Sequence, residues 1–201
     1  MESMKMLMKV LLVATVLAAF GVIAAPVLAY VLASGGPRSS ARFRVKPVTQ
    51  AHLGMFVDTL ASFSVTSQVA FPDSPERLWK ALLHERAYSW LPFMKGVAYL
   101  DDQQSVGSRR AILGTFLALQ EQIIAFEEGK RIAFSVTGAS LYGLDAGIQE
   151  YVITPTSNGG SLLTWTVAGS PKFVGFLPLR LTTPFVRPFM KRSIKGVGRL
   201  T

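Results

Sequence analysis

The 201-residue chain carries 21 Lys and Arg against 12 Asp and Glu, a net charge of +9; half of its residues are hydrophobic and none is cysteine. The missing cysteines exclude a disulfide framework, thiolate metal ligands and a cysteine nucleophile. The positive balance favours anionic partners, and with no base-reading motif beside the charge it points to membrane headgroups rather than nucleic acid.

No charged residue occurs from Val10 to Pro37. The apolar run Val10–Ala33 is long enough to cross about 30 Å of hydrocarbon as a helix. Gly21 and Pro26 are tolerated in such a helix, and Tyr30 suits its interface. A cleaved signal peptide is the rival reading, with Lys5 and Lys9 as its positive start and Val27-Leu28-Ala29 as a cleavage-like site, but signal apolar regions run only about 7–15 residues. Residues 1–34 are therefore expected to be a single-pass anchor. Lys5 and Lys9, offset by Glu2, are outnumbered by Arg38, Arg42, Arg44 and Lys46 on the other flank, so the positive-inside rule predicts a cytoplasmic C-terminal domain.

Residues 35–62 read as a linker and a short helix. Ser34-Gly35-Gly36-Pro37-Arg38-Ser39-Ser40 is rich in turn-formers and small polar residues, and predicts a spacer. Pro47–Leu60 predicts a short helix covering a sheet edge. From Phe63 the period becomes two: Val65, Val69 and Phe71 alternate with Thr66, Gln68 and Ala70, as in a half-buried strand. Ser74 as N-cap and Pro75 at the first helical position then open a helix with Leu78, Trp79, Leu82 and Leu83 on its apolar face. A second short helix or turn follows His84 through Trp90 to Phe93.

Six strands are expected next, at about 97–101, 108–113, 116–126, 131–137, 148–154 and 161–168. Their short, turn-rich connections, among them Glu127–Lys130 and Pro155–Gly160, predict an antiparallel meander. Thr183-Pro184 opens a last helix reaching almost to Leu200, with Phe185, Phe189 or Met190, Ile194 and Val197 at helical spacing. The whole is an α+β domain over residues 63–201, with about seven strands.

Several pieces recur in a characteristic order: Phe71-Pro72-Asp73-Ser74-Pro75-Glu76-Arg77-Leu78-Trp79 after the first strand, Trp90-Leu91-Pro92, Gly96-Val97, Val106-Gly107-Ser108, Leu119-Gln120-Glu121-Gln122-Ile123 before Gly129-Lys130-Arg131, and Gly160-Ser161-Leu162-Leu163-Thr164-Trp165. In that order and spacing the chain from about residue 63 resembles the helix-grip fold of the START/Bet v 1-like (SRPBCC) superfamily, and more narrowly its polyketide cyclase/dehydrase and lipid-transport family. The resemblance implies a curved antiparallel sheet gripping the last helix, with a cavity for an apolar ligand between them. The chain departs from that pattern in its membrane segment and in Pro178, Pro184 and Pro188 around the start of the last helix, where Pro178 is expected to precede the helix and Pro188 to kink it.

In such a fold Leu163, Trp165 and Val167 share one strand face, and Ile132, Phe134 and Val136 another, and both are expected to point inward. Trp90, Phe93, Phe116, Tyr142 and Tyr151 are candidates for the mouth or interior, Tyr142 within a lip from Gly138 to Gly147. Ordinary core packing remains open for each. His52 and His84 have no triad or metal spacing. Asp101 and Asp102 adjoin a turn and suit capping. Glu121 and Glu150 are expected to pair with Arg109, Arg110 or Arg131 as exposed cross-strand pairs. Were one of these carboxylates to point inward, a raised pKa could support acid/base chemistry.

Gly35-Gly36 and Gly159-Gly160 lack the context of phosphate loops. Arg187, Lys191, Arg192, Lys195 and Arg199 make the last helix basic on its outer side, suited to solvent or to anionic headgroups. The expected function is binding or transfer of a lipid or other hydrophobic small molecule at a membrane, without catalysis, cofactor or metal. A small polyketide cyclase- or dehydratase-like enzyme is the alternative.

Overall fold

The computed structural model describes residues 2–177 and 179–201, leaving aside the side chains of residues 3, 5, 17, 19 and 20. Pro178, expected just before the last helix, and the side chain of Lys5, expected on the positive flank of the anchor, lie outside it. Helix α1 spans Glu2–Ala33, and only its C-terminal turns approach the rest of the protein. Its stretch Met6–Ala33 is long and apolar enough to cross a membrane, and none of its most apolar window is buried in protein.

Only Ser34 and Gly35 separate α1 from a 3-10 turn, Gly36–Ala41. The expected spacer is instead packed: Ser39 and Ser40 are buried, and Ser39 Oγ bonds to the Ala33 and Gly36 carbonyls at 3.1 and 2.8 Å. The turn lies against Gly138, where a Cβ would meet Ser40 O at 2.7 Å, so the close approach depends on glycine. The short strand β1 (Phe43–Arg44) then pairs with the end of β6, Phe43 opposite Ala139.

Strands β2 (Phe63–Phe71), β3 (Met94–Tyr99), β4 (Arg109–Gly114), β5 (Ala118–Glu127), β6 (Arg131–Ala139), β7 (Leu144–Pro155) and β8 (Ser161–Pro171) form one antiparallel sheet in the order β2-β8-β7-β6-β5-β4-β3. The meander runs from β3 to β8, and β2 covers its free edge. Irregularities in register at Met94/Gly96, Gln120/Glu121, Ile123/Ala125 and Leu144/Ala146 help the sheet to curl, because each extra residue bends its strand and raises its twist.

The concave face holds the main core. Val65, Val69, Ile132, Phe134, Leu163 and Trp165 meet Leu78, Trp79 and Leu82 of α3 (Pro75–Leu82) and Met190, Ile194 and Val197 from the C-terminal segment. The expected cap of α3 is present, Ser74 Oγ accepting from Arg77 N at 3.5 Å, with Pro75 at the start of the helix. From His84 to Phe93 the chain makes turns, and Tyr88 and Phe93 have φ of 68° and 66°, values that end helical geometry.

The stretch Pro47–Leu60 does not cover an edge as expected. It forms a 3-10 turn (Gln50–His52), a single α turn α2 (Leu53–Met55) and a π turn (Phe56–Leu60) laid over the convex face. Val48, Leu53 and Phe56 pack there on Ala125, Ala133, Ala146 and Ala168, whose small side chains leave room for the covering backbone.

The C-terminal helix α4 (Thr183–Ile194) continues through Pro188 and tightens into a 3-10 turn, Lys195–Arg199. Its inward stripe includes Met190, Ile194 and, in the following turn, Val197. Phe185, expected on that stripe, and Phe189, the alternative there to Met190, are 83% and 66% exposed. The contact with β2, marked by Ser67 Oγ and the Arg187 carbonyl at 3.4 Å, rotates them outward.

Candidate ligand-binding site

At one end of the sheet the concave face is not filled. β2, β3, β5 and β7 begin here and β4, β6 and β8 finish. A cavity of about 290 Å³ remains, lined by Phe63, Leu91, Met94, Ile112, Leu119, Val136, Leu144, Ile148, Trp165 and Val167, with Gly147 and Gly169 in its wall. The lining strand side chains stand on the pleat that faces α4, so the alternation that builds the core also builds the pocket, except for Ile148, which packs with the convex-face cover of Val48, Leu53 and Phe56. The volume is at the lower end of small-molecule sites.

Three polar side chains reach this apolar wall: Tyr88, Glu121 and Gln149. They belong to a buried network. Arg110 and Glu121 are directly opposed on β4 and β5, and Arg110 Nε donates to Glu121 Oε2 at 2.9 Å, with the two side chains 2% and 1% exposed. Gln149 Nε2 donates to the other carboxylate oxygen, Oε1. The Tyr88 and Tyr151 hydroxyls each lie 2.8 Å from Gln149 Oε1 and touch each other, while Arg110 Nη2 reaches Tyr88 at 3.4 Å. The guanidinium also sits 3.4 Å above the Phe134 ring centre, a cation–π contact.

Burial pushes the Tyr88 hydroxyl up to about 12, and burial likewise lifts Tyr151 well above its ordinary value. For Arg110 burial opposes the charge, but attraction to Glu121 and to the surrounding tyrosines outweighs it and raises the pKa. The network therefore holds neutral tyrosines around one closed ion pair. Glu121 was expected to pair with Arg109, Arg110 or Arg131 on the surface; it pairs with Arg110, and the correction is that both are interior. The half-buried Arg131–Glu150 pair, 2.7 Å long, matches the cross-strand form expected.

One family model matches residues 62–200, that of polyketide cyclase / dehydrase and lipid transport. The chain belongs to this family. Among curated proteins no sequence matches it. The fold is shared with a START superfamily protein from Mycobacterium smegmatis (TM-score 0.55, 18% identity, 69% of this chain and 99% of that one). It is also shared with Ara h 8.0201 (0.53, 16%, 68% and 96%) and with a protein from Thermus thermophilus (0.53, 14%, 68% and 95%). The helix-grip assignment to the START/Bet v 1-like superfamily thus holds for residues from about 62 onward, and α1 lies outside the matched part.

Within this family member the expected site residues separate into three groups. Trp165 lines the cavity; it stacks on Tyr151 with ring centres 5.9 Å apart and planes 4° apart, and its buried Nε1 has no hydrogen-bond partner among the described residues. Tyr151 sits in the polar network, and Phe134 and Leu163 are wholly buried core. Trp90 stacks on Tyr88 and donates through Nε1 to Ser193 O at 2.7 Å, tying the loop before β3 to α4.

Phe93, Phe116 and Tyr142 stand outside. Phe93 packs on Phe116, and Phe116, Leu141 and Tyr142 share a groove with Ala25, Pro26, Leu28, Ala29 and Leu32 of α1. The stretch expected as a lip is a hairpin, with Gly138 in β6 and Gly147 in β7. Tyr88, Met94, Leu119 and Gln149 were not singled out for the pocket by the sequence, and Glu121 only as the less favoured, inward alternative. Asp101 accepts from Arg109 N at 2.6 Å, the capping role expected of it. His84 Nδ1 accepts from Arg86 N and His52 pairs with Thr49, both exposed. No cluster of three metal-ligating His, Asp or Glu side chains occurs among the described residues.

Proposed function

We propose that this protein binds or transfers a lipid or other hydrophobic small molecule in the cavity, without covalent chemistry, while α1 anchors it to a membrane. The observation that carries the reading is the cavity itself, apolar over nearly all of its wall and closed off at the back by a satisfied polar network. Binding there derives from removing ligand surface from water, about 25 cal/mol per Å² before ordering costs. Membership of a family described by lipid transport supports it.

The same family description includes cyclases and dehydrases, and Glu121 is the carboxylate that such chemistry would need at the cavity. Both of its oxygens are engaged, by Arg110 and Gln149, and burial moves the Tyr88 hydroxyl still further above neutral pH, to about 12. A committed ion pair is a poor proton acceptor, so the binding reading is the stronger. Arg38, Arg42, Arg44 and Lys46 after α1 support a cytoplasmic domain by the positive-inside rule. A C-terminal reporter fusion tests that side, and periplasmic activity overturns it.

The binding reading is tested by native mass spectrometry of the full chain released from detergent. A reproducible apolar adduct of defined mass that Val167→Trp abolishes is expected. A chain that flies empty and takes up no fluorescent lipid refutes it.

A further inference from the structure

The two ends of the sheet differ in kind. At the cavity end stand most of the large apolar side chains that the domain exposes, including Phe93, Tyr142, Phe173, Phe176, Leu181 and Phe185. At the far end, around the turns 72–74, 100–108, 127–130 and 156–160, Val106 is the one exposed large apolar side chain among the described residues. Charge differs between the ends as well. At the far end Asp73, Asp101 and Glu127 pair with Arg77, Arg109 and Arg131, and Glu76, Asp102 and Glu128 stand with Lys130, a mixed and nearly balanced set, whereas exposed Arg38, Arg42, Arg44, Lys95 and Lys172 give the cavity end an excess of positive charge.

The anchor meets the domain at the aromatic, basic end. Phe116 and Tyr142 lie against Ala25–Leu32 of α1. Counting about 20 residues of helix per hydrocarbon thickness from Val10, the first uncharged residue, reaches Ala29. The groove therefore falls at the level of the headgroups, where amphipathic rings concentrate. Tyr142 there contacts Phe43 and Phe173 edge-on, and Lys172 Nζ lies 4.2 Å from the centre of its ring.

We infer that the cavity end is a docking face for the leaflet that α1 enters, seating the pocket on the bilayer so that its ligand is a bilayer lipid passing in without crossing water. The inference rests on the membrane-anchored binding reading. Phe173, Phe176, Leu181 and Phe185 enter the acyl boundary, the basic side chains meet anionic headgroups, and the polar far end, with its mixed charges, points to the aqueous phase.

The absence of native cysteine allows a direct test on the full chain. Single variants Phe176→Cys, Phe185→Cys and Asn158→Cys carry a nitroxide, and the protein is reconstituted in vesicles of phosphatidylcholine with phosphatidylglycerol. Residues 176 and 185 are each 83% exposed, so the labels disturb no packing. At these two positions relaxation by lipid-soluble oxygen should exceed relaxation by an aqueous nickel chelate, with the reverse at 158. Equal access to the nickel chelate at all three overturns the docking face, as does dipolar broadening at 176 and 185 that reports a second copy covering them. Uptake of a fluorescent lipid by the same preparations separates the two ideas: water-exposed labels with intact uptake remove docking alone, and buried labels without uptake remove the ligand reading.

Discussion

Trp90 lies so close to Gly196 that any Cβ at residue 196 would fall inside the indole ring. The ring nitrogen is bonded one turn earlier, to Ser193 O. A single side chain thus clamps the irregular segment before β3 onto the end of α4, and glycine is what permits it. Gly196→Ala is expected to cost about 1–3 kcal/mol through overpacking, despite the better helix propensity of alanine. In a Trp90→Ala background the same substitution should cost about 0.5 kcal/mol or less, since contacting residues are the ones that couple. Urea unfolding of the four members of that cycle checks it.

Glu121→Gln should be among the most damaging substitutions. It strands the Arg110 guanidinium in the interior, a loss of about 3–5 kcal/mol. Replacing both partners, Arg110→Met with Glu121→Leu, should recover most of that, because a hydrophobic pair of similar volume carries no desolvation cost. Chemical denaturation distinguishes the two; equal instability of the single and double variants would show that the network, rather than the stranded charge, decides.

Alkaline pH should unfold the protein through its tyrosines. In the unfolded chain a tyrosine ionises near pH 10, whereas burial holds Tyr88 up to about 12. Between those values the unfolded state has lost a proton that the native state keeps, so stability falls as pH rises, by up to about 1.4 kcal/mol per pH unit for Tyr88. Tyr151 acts in the same direction. Below about pH 9 neither contributes a slope. Unfolding midpoints followed together with tyrosinate absorbance check this, and Tyr88→Phe should flatten the decline.

Val167→Phe should fill the pocket without disturbing the fold. Its side chain borders the 290 Å³ space, which can take the added ring carbons. Affinity for an apolar fluorescent probe is expected to drop at least about ten-fold, about 1.4 kcal/mol, with an unchanged melting temperature.

Much of this architecture was written in local patterns. The alternation of Val65, Val69 and Phe71 placed β2 to the residue, and Ser74-Pro75 placed the start of α3. That Ile132, Phe134 and Val136 share one face, and Leu163, Trp165 and Val167 another, followed from period two, and the resemblance to the helix-grip fold implied that both faces point inward. The buried ion pair was missed because isolated buried charge is costly and exposure was the safer expectation. Yet a signal was present: Arg109 and Arg110 are consecutive on a strand and must point to opposite faces, and Arg110 shares its face with Ile112 of the cavity wall.

Tyr88 was illegible for another reason. It sits in a loop at φ 68°, where no periodicity operates, and reaches the network only through the fold. Phe185 faces out against expectation, and Met190 rather than its alternative Phe189 faces in, because several apolar stripes fit the same short helix and its seat on β2 chooses between them. Phe116 and Tyr142 were sought around the pocket and stand beside α1 instead, since a hairpin tip takes its neighbours from whichever element happens to pass it.

The packed turn between α1 and the sheet also limits how the protein can work. A domain on a slack leash could swing between two membranes and ferry cargo across the gap. Here Ser40 and Ala41 are pressed onto Gly138, and only Ser34 and Gly35 separate their turn from the helix, so the domain holds one attitude toward its anchor. On the proposed reading of an anchored lipid-binding protein, exchange with a distant membrane would require a second protein to come to it. Such a molecule would be a berth rather than a ferry.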